Sequence, residues 1–517
     1  LRVIVVLVDF DDREMARTQQ HFDELFFSTG VVAGGSVREY FDEVTNGLVT
    51  LTGQVVGPYR MPRTLADYAN GASGTGAASP NARTMARDAV LAADPHVNFG
   101  PYDNDANGFV DAFVVVHAGQ GAEVTGSTGD IWSHKWVLSG GSYSTDGTAV
   151  YGYLTVPEDS RIGVCAHELG HLLFGFPDLY DTDSSSEGVG NWCLMAGGSW
   201  NGGGDTPAHP SAWCKVQQAW VTVQNVTANG AITVQDVKDA HRVFRLWKDG
   251  PSGQEYFLLE NRQRTRFDAE LPGDGLLIWH LDDAIADNSD ETHYRVALEQ
   301  ADGQQHLENS ANRGDAGDSF PGTTDNRAFT NTSTPGSKSY GGLNTCVSVT
   351  AISDSGPVMT AQVTVTCGKS TLKDAKDTRK DRKEKDVKDR VKDVKELRKE
   401  AGKDVGDKPL IHDKRPEKPV TDKSVAYDKN WDAKLTDGWD WRRQPAGSPG
   451  GALDALQARL EALEAAVFGP VEPFIGEGLR PDLRDSALSD EPGVGEPGTG
   501  VSVEITDKRD FDSPPGV

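Results

Sequence analysis

A chain of 517 residues is too long for one ordinary domain, and its formal charge of −27 with 37% apolar residues describes an acidic globular protein. The charge is uneven: residues 1–367 carry 22 basic against 46 acidic residues, whereas residues 368–450 carry 24 against 18. An acidic globular part argues against nucleic acid, where each phosphate contact would begin in repulsion. No run reaches the roughly 20 apolar residues a membrane helix requires.

The opening "LRVIVVLVDF" is too short to span a membrane and reads as a buried strand. It is preceded by no initiator methionine or signal peptide, so Leu1 is expected to open a processed or trimmed chain. "SVREYFDEVTNG" and "NARTMARDAVLAAD" follow as capped amphipathic helices, and "AFVVVHAG" as a second buried strand. Ahead of that strand, "DNDANGFVD" sets oxygen side chains at Asp103, Asp105, Asn107 and Asp111, with a turn glycine at 108. Alternating oxygens of this kind build a calcium loop, although Val114 stands where an EF-hand would place its bidentate glutamate. An Asx-rich turn before a strand is the plainer alternative.

"RIGVCAHELGHLLFG" reads as a helix ending at Gly175. One turn apart on it, His167 and His171 face the same way and can share a zinc ion, with Glu168 placed to take a proton from a metal-activated water. Zinc then needs a third protein ligand. Glu187 stands about twenty residues on, but among Ser and Gly residues that resist a helix. A chain that turns at Gly175 and comes straight back would instead present Asp178, with Asp181 as its nearest competitor. His117, His134 and His280 lie in apolar or aromatic strand contexts that suit structural histidines, and "GGSWNGGGD" reads as the rim of an active site.

From about 221 to 367 the pattern changes to short alternating runs, "AITVQDV", "RVFRLW", "EYFLLENR", "GLLIWHL", "TCVSVTAI" and "MTAQVTVT". Frequent turn residues between them predict an all-β sandwich-like domain. All 5 cysteines precede residue 368. Cys193 and Cys214 flank a Gly-rich loop and Cys346 and Cys367 bracket a strand-rich segment, so two disulfides with Cys165 left over are expected, in an oxidising compartment. Residues 368–450 interleave charges at most positions and read as a solvated helix or disordered linker. In residues 451–469, Leu453, Leu456, Leu460, Leu463 and Val467 form a coiled-coil stripe of about two heptads, a site for weak self-association. Residues 470–517 read as a disordered acidic tail.

"AHELGHLLFGFPDLYD" followed by "GVGNWCLMAGGSWNG" resembles the immune inhibitor A family of secreted zinc metallopeptidases, metzincin relatives in which Asp replaces the third His. "VIVVLVDFDD", "DNDANGFVDAFVVVHAG", "IWSHKW", "EYFLLENR" and "GLLIWHLDD" extend the likeness across residues 1–367. The resemblance implies zinc on His167, His171 and Asp178, a methionine turn beneath it at Met195, and calcium on Asp103, Asp105, Asn107 and Asp111 with the Phe109 carbonyl. Phe174 is one residue more than the simplest family spacing holds between the second His and the turn.

The expected architecture is an α+β, metzincin-like zinc protease domain over residues 1–220, an all-β sandwich-like domain over 221–367, and a charged extension. The expected function is a secreted zinc endopeptidase acting on proteins or peptides, with Glu168 as general base. A binding or adhesin protein on a vestigial protease fold is the alternative from another class, and it would not need an intact His–Glu–His set. A hydrolase of small amides is the second alternative, and a closed pocket rather than an open cleft would mark it.

Overall fold

The computed structural model describes residues 1–248 and 253–367, so the expectations for residues 368–517 lie outside the described residues. The first strand, β1 (Arg2–Asp9), has both faces buried: Val3, Val5 and Leu7 on one side, Ile4, Val6 and Val8 on the other, none of them exposed. A strand apolar on both faces belongs in the middle of a sheet covered on both sides. Its sheet holds five strands, namely β1, β2 (Thr52–Arg60), β3 (Phe113–His117), β4 (His134–Val137) and, after the β5–β6 hairpin (Tyr143–Thr145, Thr148–Val150), β7 (Gly152–Pro157). Their order is β2-β1-β3-β7-β4. The first four of these run parallel, and β4 lies antiparallel to β7 at the edge.

Helices cover both faces. α1 (Gln19–Phe27), α2 (Val37–Val44), α3 (Leu65–Ala69), α4 (Ala82–Ala93), α5 (Ala122–Thr125) and α6 (Ile162–Phe174) follow in chain order. Met85, Ala86 and Ala89 of α4 pack with Ile4, Val6, Phe113 and Val115. On the other face, Val3, Val5, Val114 and Val116 join Phe22 and Phe26 of α1, Tyr40 and Phe41 of α2, and Cys165 and Leu169 of α6. The two capped helices read from sequence are α2 and α4. At the start of α2, Ser36 Oγ accepts from the Glu39 N–H (3.1 Å) while Glu39 Oε2 accepts from the Ser36 N–H (2.9 Å), a reciprocal box that satisfies two otherwise orphaned donors.

After α7 (Ala212–Gln217) come β8 (Thr222–Asn225), β9 (Gly230–Gln235), the short α8 (Val237–Ala240), β10 (Arg242–Leu246), β11 (Glu255–Arg262), β12 (Gly275–Asp282), β13 (Val296–Leu298), β14 (Ala328–Phe329), β15 (Ser348–Thr350) and β16 (Val358–Thr364). They form two sheets, β13-β12-β11-β10-β8 and β14-β15-β16-β9. Phe257, Leu259 and Ile278 of one share a core with Met359, Ala361 and Val363 of the other. The opposite face of β11 and β12 is buried too: Leu258, Leu277, Trp279 and Leu281 join the core that holds Leu169 of α6 and Trp213 of α7. Double burial explains why Tyr256–Leu259 of β11 and Leu276–Trp279 of β12 are apolar on both faces. Residues 1–365 fall within one compact unit.

One disulfide expectation is corrected. Cys346 and Cys367 are disulfide-bonded, but Cys193 and Cys214 are free buried thiols, as is Cys165. The two sulfurs are neighbours in hydrogen-bond rather than covalent contact. Cys193 Sγ already accepts from the N–H groups of Met195 (3.4 Å) and Ser211 (3.2 Å), and Ser211 Oγ donates to Cys214 Sγ (3.4 Å). In the apolar interior these polar contacts satisfy both sulfurs without a covalent bridge.

Candidate active site

α6 runs from Ile162 to Phe174 and stops at Gly175, whose φ of 63° is the left-handed conformation that favours glycine. The Phe176 N–H bonds back to Gly170 O (3.2 Å), and the chain reverses. This reversal returns Asp178 to the helix. His167 and His171 lie one turn apart with their Nε2 atoms 3.1 Å from each other. Each Nδ1 faces a carbonyl, Leu194 O at 2.9 Å and Phe176 O at 2.6 Å. A carbonyl can only accept, so each Nδ1 carries a proton and each Nε2 is left facing the site. Asp178 Oδ1 lies 3.2 Å from Nε2 of His167 and 3.0 Å from Nε2 of His171. It is buried and accepts no hydrogen bond.

Three possible ligand atoms therefore stand about 3 Å apart. Tetrahedral zinc with bonds of about 2.0–2.1 Å separates its ligands by about 3.3 Å, so the set fits one ion with a coordination position to spare. Burial alone would raise the Asp178 carboxyl, but the imidazoles of His171 and His167 outweigh it and hold it well below the usual carboxylate range. Glu168, 5% exposed, points an unpartnered Oε2 into the interior. Burial pushes its carboxyl up to about 8, against the pull of His167 and with Asp178 and Glu123 adding to the rise.

The floor of the site is built by the segment around Met195. Its side chain is fully buried and lies against Gly170, where an added Cβ would stand 2.8 Å from Met195 Sδ. The Met195 carbonyl accepts from the Leu179 N–H (2.7 Å), one residue past Asp178. A single turn thus holds His167 through Leu194 O and braces the segment that returns Asp178.

Residues 2–228 match the catalytic domain of immune inhibitor A peptidase M6. Residues 2–228 thus carry an immune inhibitor A peptidase catalytic domain. This catalytic domain is that of a metallopeptidase. Over 288 residues the chain is 30% identical to the pre-pro-metalloprotease PrtV of two Vibrio cholerae serotype O1 strains, an alignment covering 44% of this chain and 31% of PrtV. It is 31% identical over 229 residues to immune inhibitor A of Bacillus thuringiensis subsp. alesti, covering 37% of this chain and 33% of that one. The chain thus spans about a third of the length of the curated relatives it matches. The resemblance read from the motifs names the same family.

The peptidase fold places the competing carboxylates elsewhere. Glu187 pairs with Arg313 Nε at 3.0 Å. Asp181 caps its own loop, accepting from the Asp183 N–H (3.0 Å) and from the Ser186 N–H (2.9 Å) and Oγ (2.8 Å). His134 spans Trp132 O and the Tyr153 hydroxyl, His280 spans Glu255 and Glu299, and the buried His117 faces Ala118 O. Asp103, Asp105 and Asp111 converge, while Asn107 accepts from the Phe109 N–H (2.8 Å) and much of the acids' capacity is spent on loop N–H groups. Burial pushes the Asp111 carboxyl up to about 6, against the hydrogen bonds from Asn104. Tyr180 was not anticipated: its ring lies 19° from parallel with His167, beside Asp178. The carbonyls of Leu194 and Phe176 were not either, and no side-chain pattern can announce a backbone acceptor.

Proposed function

We propose that the protein is an extracellular zinc endopeptidase that hydrolyses peptide bonds of proteins, with His167, His171 and Asp178 as zinc ligands and Glu168 as general base. The observation that carries this reading is the convergence of two imidazole nitrogens and a carboxylate oxygen beside the buried Glu168 carboxyl, whose Oε2 has no partner. Zinc bound there would polarise the scissile carbonyl and lower the pKa of a water. Glu168 Oε2 takes the proton of the attacking water and passes it to the leaving amine. Met195 fixes the floor, and the Leu194 and Phe176 carbonyls hold each imidazole in the tautomer that presents Nε2.

Extended substrates suit the site better than small amides. β4 is an edge strand whose outer backbone faces no further strand of its sheet, and an extended peptide can add to such an edge. The ligand side chains keep 12–26% exposure, as in an open site. We place the catalytic domain at residues 1–220, the metzincin-like part, and the sandwich-like domain at 221–367. The loop at 103–111 is assigned to calcium as a stabiliser, with Asp103, Asp105, Asn107 and Asp111 as ligands. Among the described residues no helix is long and apolar enough to cross a membrane.

The test combines metal analysis with cleavage of casein or gelatin, with and without a chelator. Glu168→Gln should retain zinc at the parent's stoichiometry and lose proteolysis by a factor of about 10² or more. Full activity in a zinc-loaded Glu168→Gln protein would refute the mechanism.

A further inference from the structure

A short hairpin between β14 and β15 is fastened to β11 and β12 by groups that the proposed chemistry leaves unused. Residues 338–344 turn back on themselves: Lys338 bridges Asn344, Ser339 N–H donates to Leu343 O (3.0 Å), and Gly342 N–H donates to Ser339 O (2.8 Å). The base is pinned by Ser337, whose Oγ donates to Val347 O, and by Thr345, whose Oγ1 donates to Ser337 O, each at 2.5 Å. Leu343, at the turn, is 72% exposed. Tyr340 makes the contact with the sheet. Its N–H donates to Glu255 Oε1 at 2.7 Å, and its ring packs against two imidazoles, 4.1 Å and 10° from His280 and 4.1 Å and 30° from His293.

His280, on β12, is 4% exposed and presents both ring nitrogens to carboxylates: Nε2 to Glu255 Oε1 and Nδ1 to Glu299 Oε1, each at 3.0 Å. A neutral imidazole has one proton to donate and an ionised carboxylate can only accept, so both contacts are hydrogen bonds only in the imidazolium. Among the described residues neither carboxylate has a lysine or arginine partner, so His280 is the cation that keeps the two together. Burial alone would lower this imidazole, but the hydrogen bonds to Glu255 and Glu299 and their charges outweigh it and raise it above the usual histidine value. A cation against the face of Tyr340 is also a favourable contact. The other titratable groups here are Asp282, paired with His293 Nε2 at 2.9 Å, and Glu308, whose Oε2 accepts from Gln300 Nε2 at 2.6 Å. Burial and the charges of Glu299, Glu255, Glu308 and Asp282 push the Tyr340 phenol well above its ordinary value, so it stays neutral while His280 titrates.

We propose that the imidazolium of His280 is a pH-dependent latch that holds the 338–344 hairpin against β11 and β12 through Glu255 and Tyr340, and that loss of its proton releases the hairpin. A neutral ring can donate to one carboxylate only and leaves the other facing a lone pair, with two like charges no longer bridged. Glu255 Oε1 also receives the Tyr340 N–H, so the tie to the hairpin weakens with the ring. The folded pKa lies above the unfolded value of about 6.5, so the latch is fully present below that pH and is lost as pH rises through the folded value. Each unit between the two values makes opening about tenfold easier once the proton has gone. The inference does not depend on the zinc reading.

The test is hydrogen exchange of the full-length protein at about pH 6 and about pH 9, on either side of the expected titration. Rates are corrected for the intrinsic pH dependence of exchange and read on peptides covering residues 338–344, with β11 as reference. Protection of the hairpin should fall about tenfold or more at the higher pH while β11 keeps its own. Glu299→Gln, at a partly exposed position, removes one carboxylate and should move the loss of protection to lower pH. His280→Gln should leave the hairpin equally open at both pH values, and Glu299→Gln decides the matter if His280→Gln does not fold. His293→Gln should keep the pH response, since that ring faces one carboxylate only. Equal hairpin protection at both pH values in the parent would overturn the proposal. So would release at the parent's pH in Glu299→Gln, or a pH response that vanishes in His293→Gln.

Discussion

Asp178, Asp181 and Glu187 are three carboxylates within ten residues, and only the first stands within 3.2 Å of both imidazoles. Asp178→Ala should therefore lower zinc affinity far more than Asp181→Ala or Glu187→Ala. Removing a ligand deletes a metal–oxygen bond, whereas a neighbour affects only orientation, which typically costs about 10–100-fold. Equal zinc content in Asp178→Ala and the parent, measured under competition with a chelator, would show that another carboxylate serves. Gly170 makes the complementary point about packing. With Met195 Sδ 2.8 Å from the place of an added Cβ, Gly170→Ala must push the floor away from α6. A cost of about 1–3 kcal/mol is expected, read as a lower melting temperature together with weaker zinc retention. An unchanged melting temperature would mean that Met195 moves aside freely.

Among the elements, α6 was legible because its apolar run, its two histidines and its terminal Gly175 agree on one helix. The acidic loop before β3 is less decided by pattern. Its carboxylates converge, yet many of their oxygens already accept loop N–H groups, which both a calcium loop and an Asx turn would show. Calcium at a hundredfold excess over its dissociation constant should stabilise the fold by about 2.7 kcal/mol if the loop binds it. Asp105→Ala should shrink that calcium-dependent gain in melting temperature, and the same gain in both proteins would leave the loop as a turn. β4 shows the opposite case. Four residues of mixed polarity carry no strong period, so sequence reading marked "IWSHKW" only by its resemblance and by the strand context of His134. Pairing with β7 makes it a strand.

At the scale of the molecule, a buried charge network ties α7 and the segment before it to β11 and the turn that follows β11. Lys215 Nζ meets Glu260 Oε2 at 2.9 Å, Arg262 bonds Glu260 (3.3 Å) and Asp268, and His209 N–H donates to Asp268 Oδ1 at 2.9 Å. All of these groups are at most 1% exposed. Burial alone would raise Glu260 and Asp268, but Lys215 and Arg262 pull Glu260 below the usual carboxylate range, and Arg262 with His209 pulls Asp268 lower still. Carboxyls depressed in the folded state stabilise it above their unfolded pKa of about 4, and that stability is lost as pH falls through the folded values. Acid unfolding should thus steepen below about pH 4. Lys215→Met, which leaves Glu260 short of a partner, should cost about 3–5 kcal/mol, and Lys215→Met with Glu260→Gln should recover part of it. A Lys215→Met protein with the parent's denaturation midpoint and acid profile would show that the network contributes nothing.

By itself the sequence determined the buried strands β1 and β3, the capped helices α2, α4 and α6, the family, and the His–Glu–His face. Each of these follows from local period, capping chemistry or i,i+4 spacing, which neighbours along the chain decide. Tertiary structure alone decided the rest. It brought Asp178 rather than Asp181 or Glu187 against Nε2 of both histidines, because the reversal at Gly175 fixes where the next few residues return. It left Cys193 and Cys214 as hydrogen-bonded thiols, since even spacing and a flanking loop do not specify whether two sulfurs are held in covalent reach or by their backbone partners. It also set the buried Asp318 against Trp192 Nε1, a partner more than a hundred positions away that no periodicity encodes.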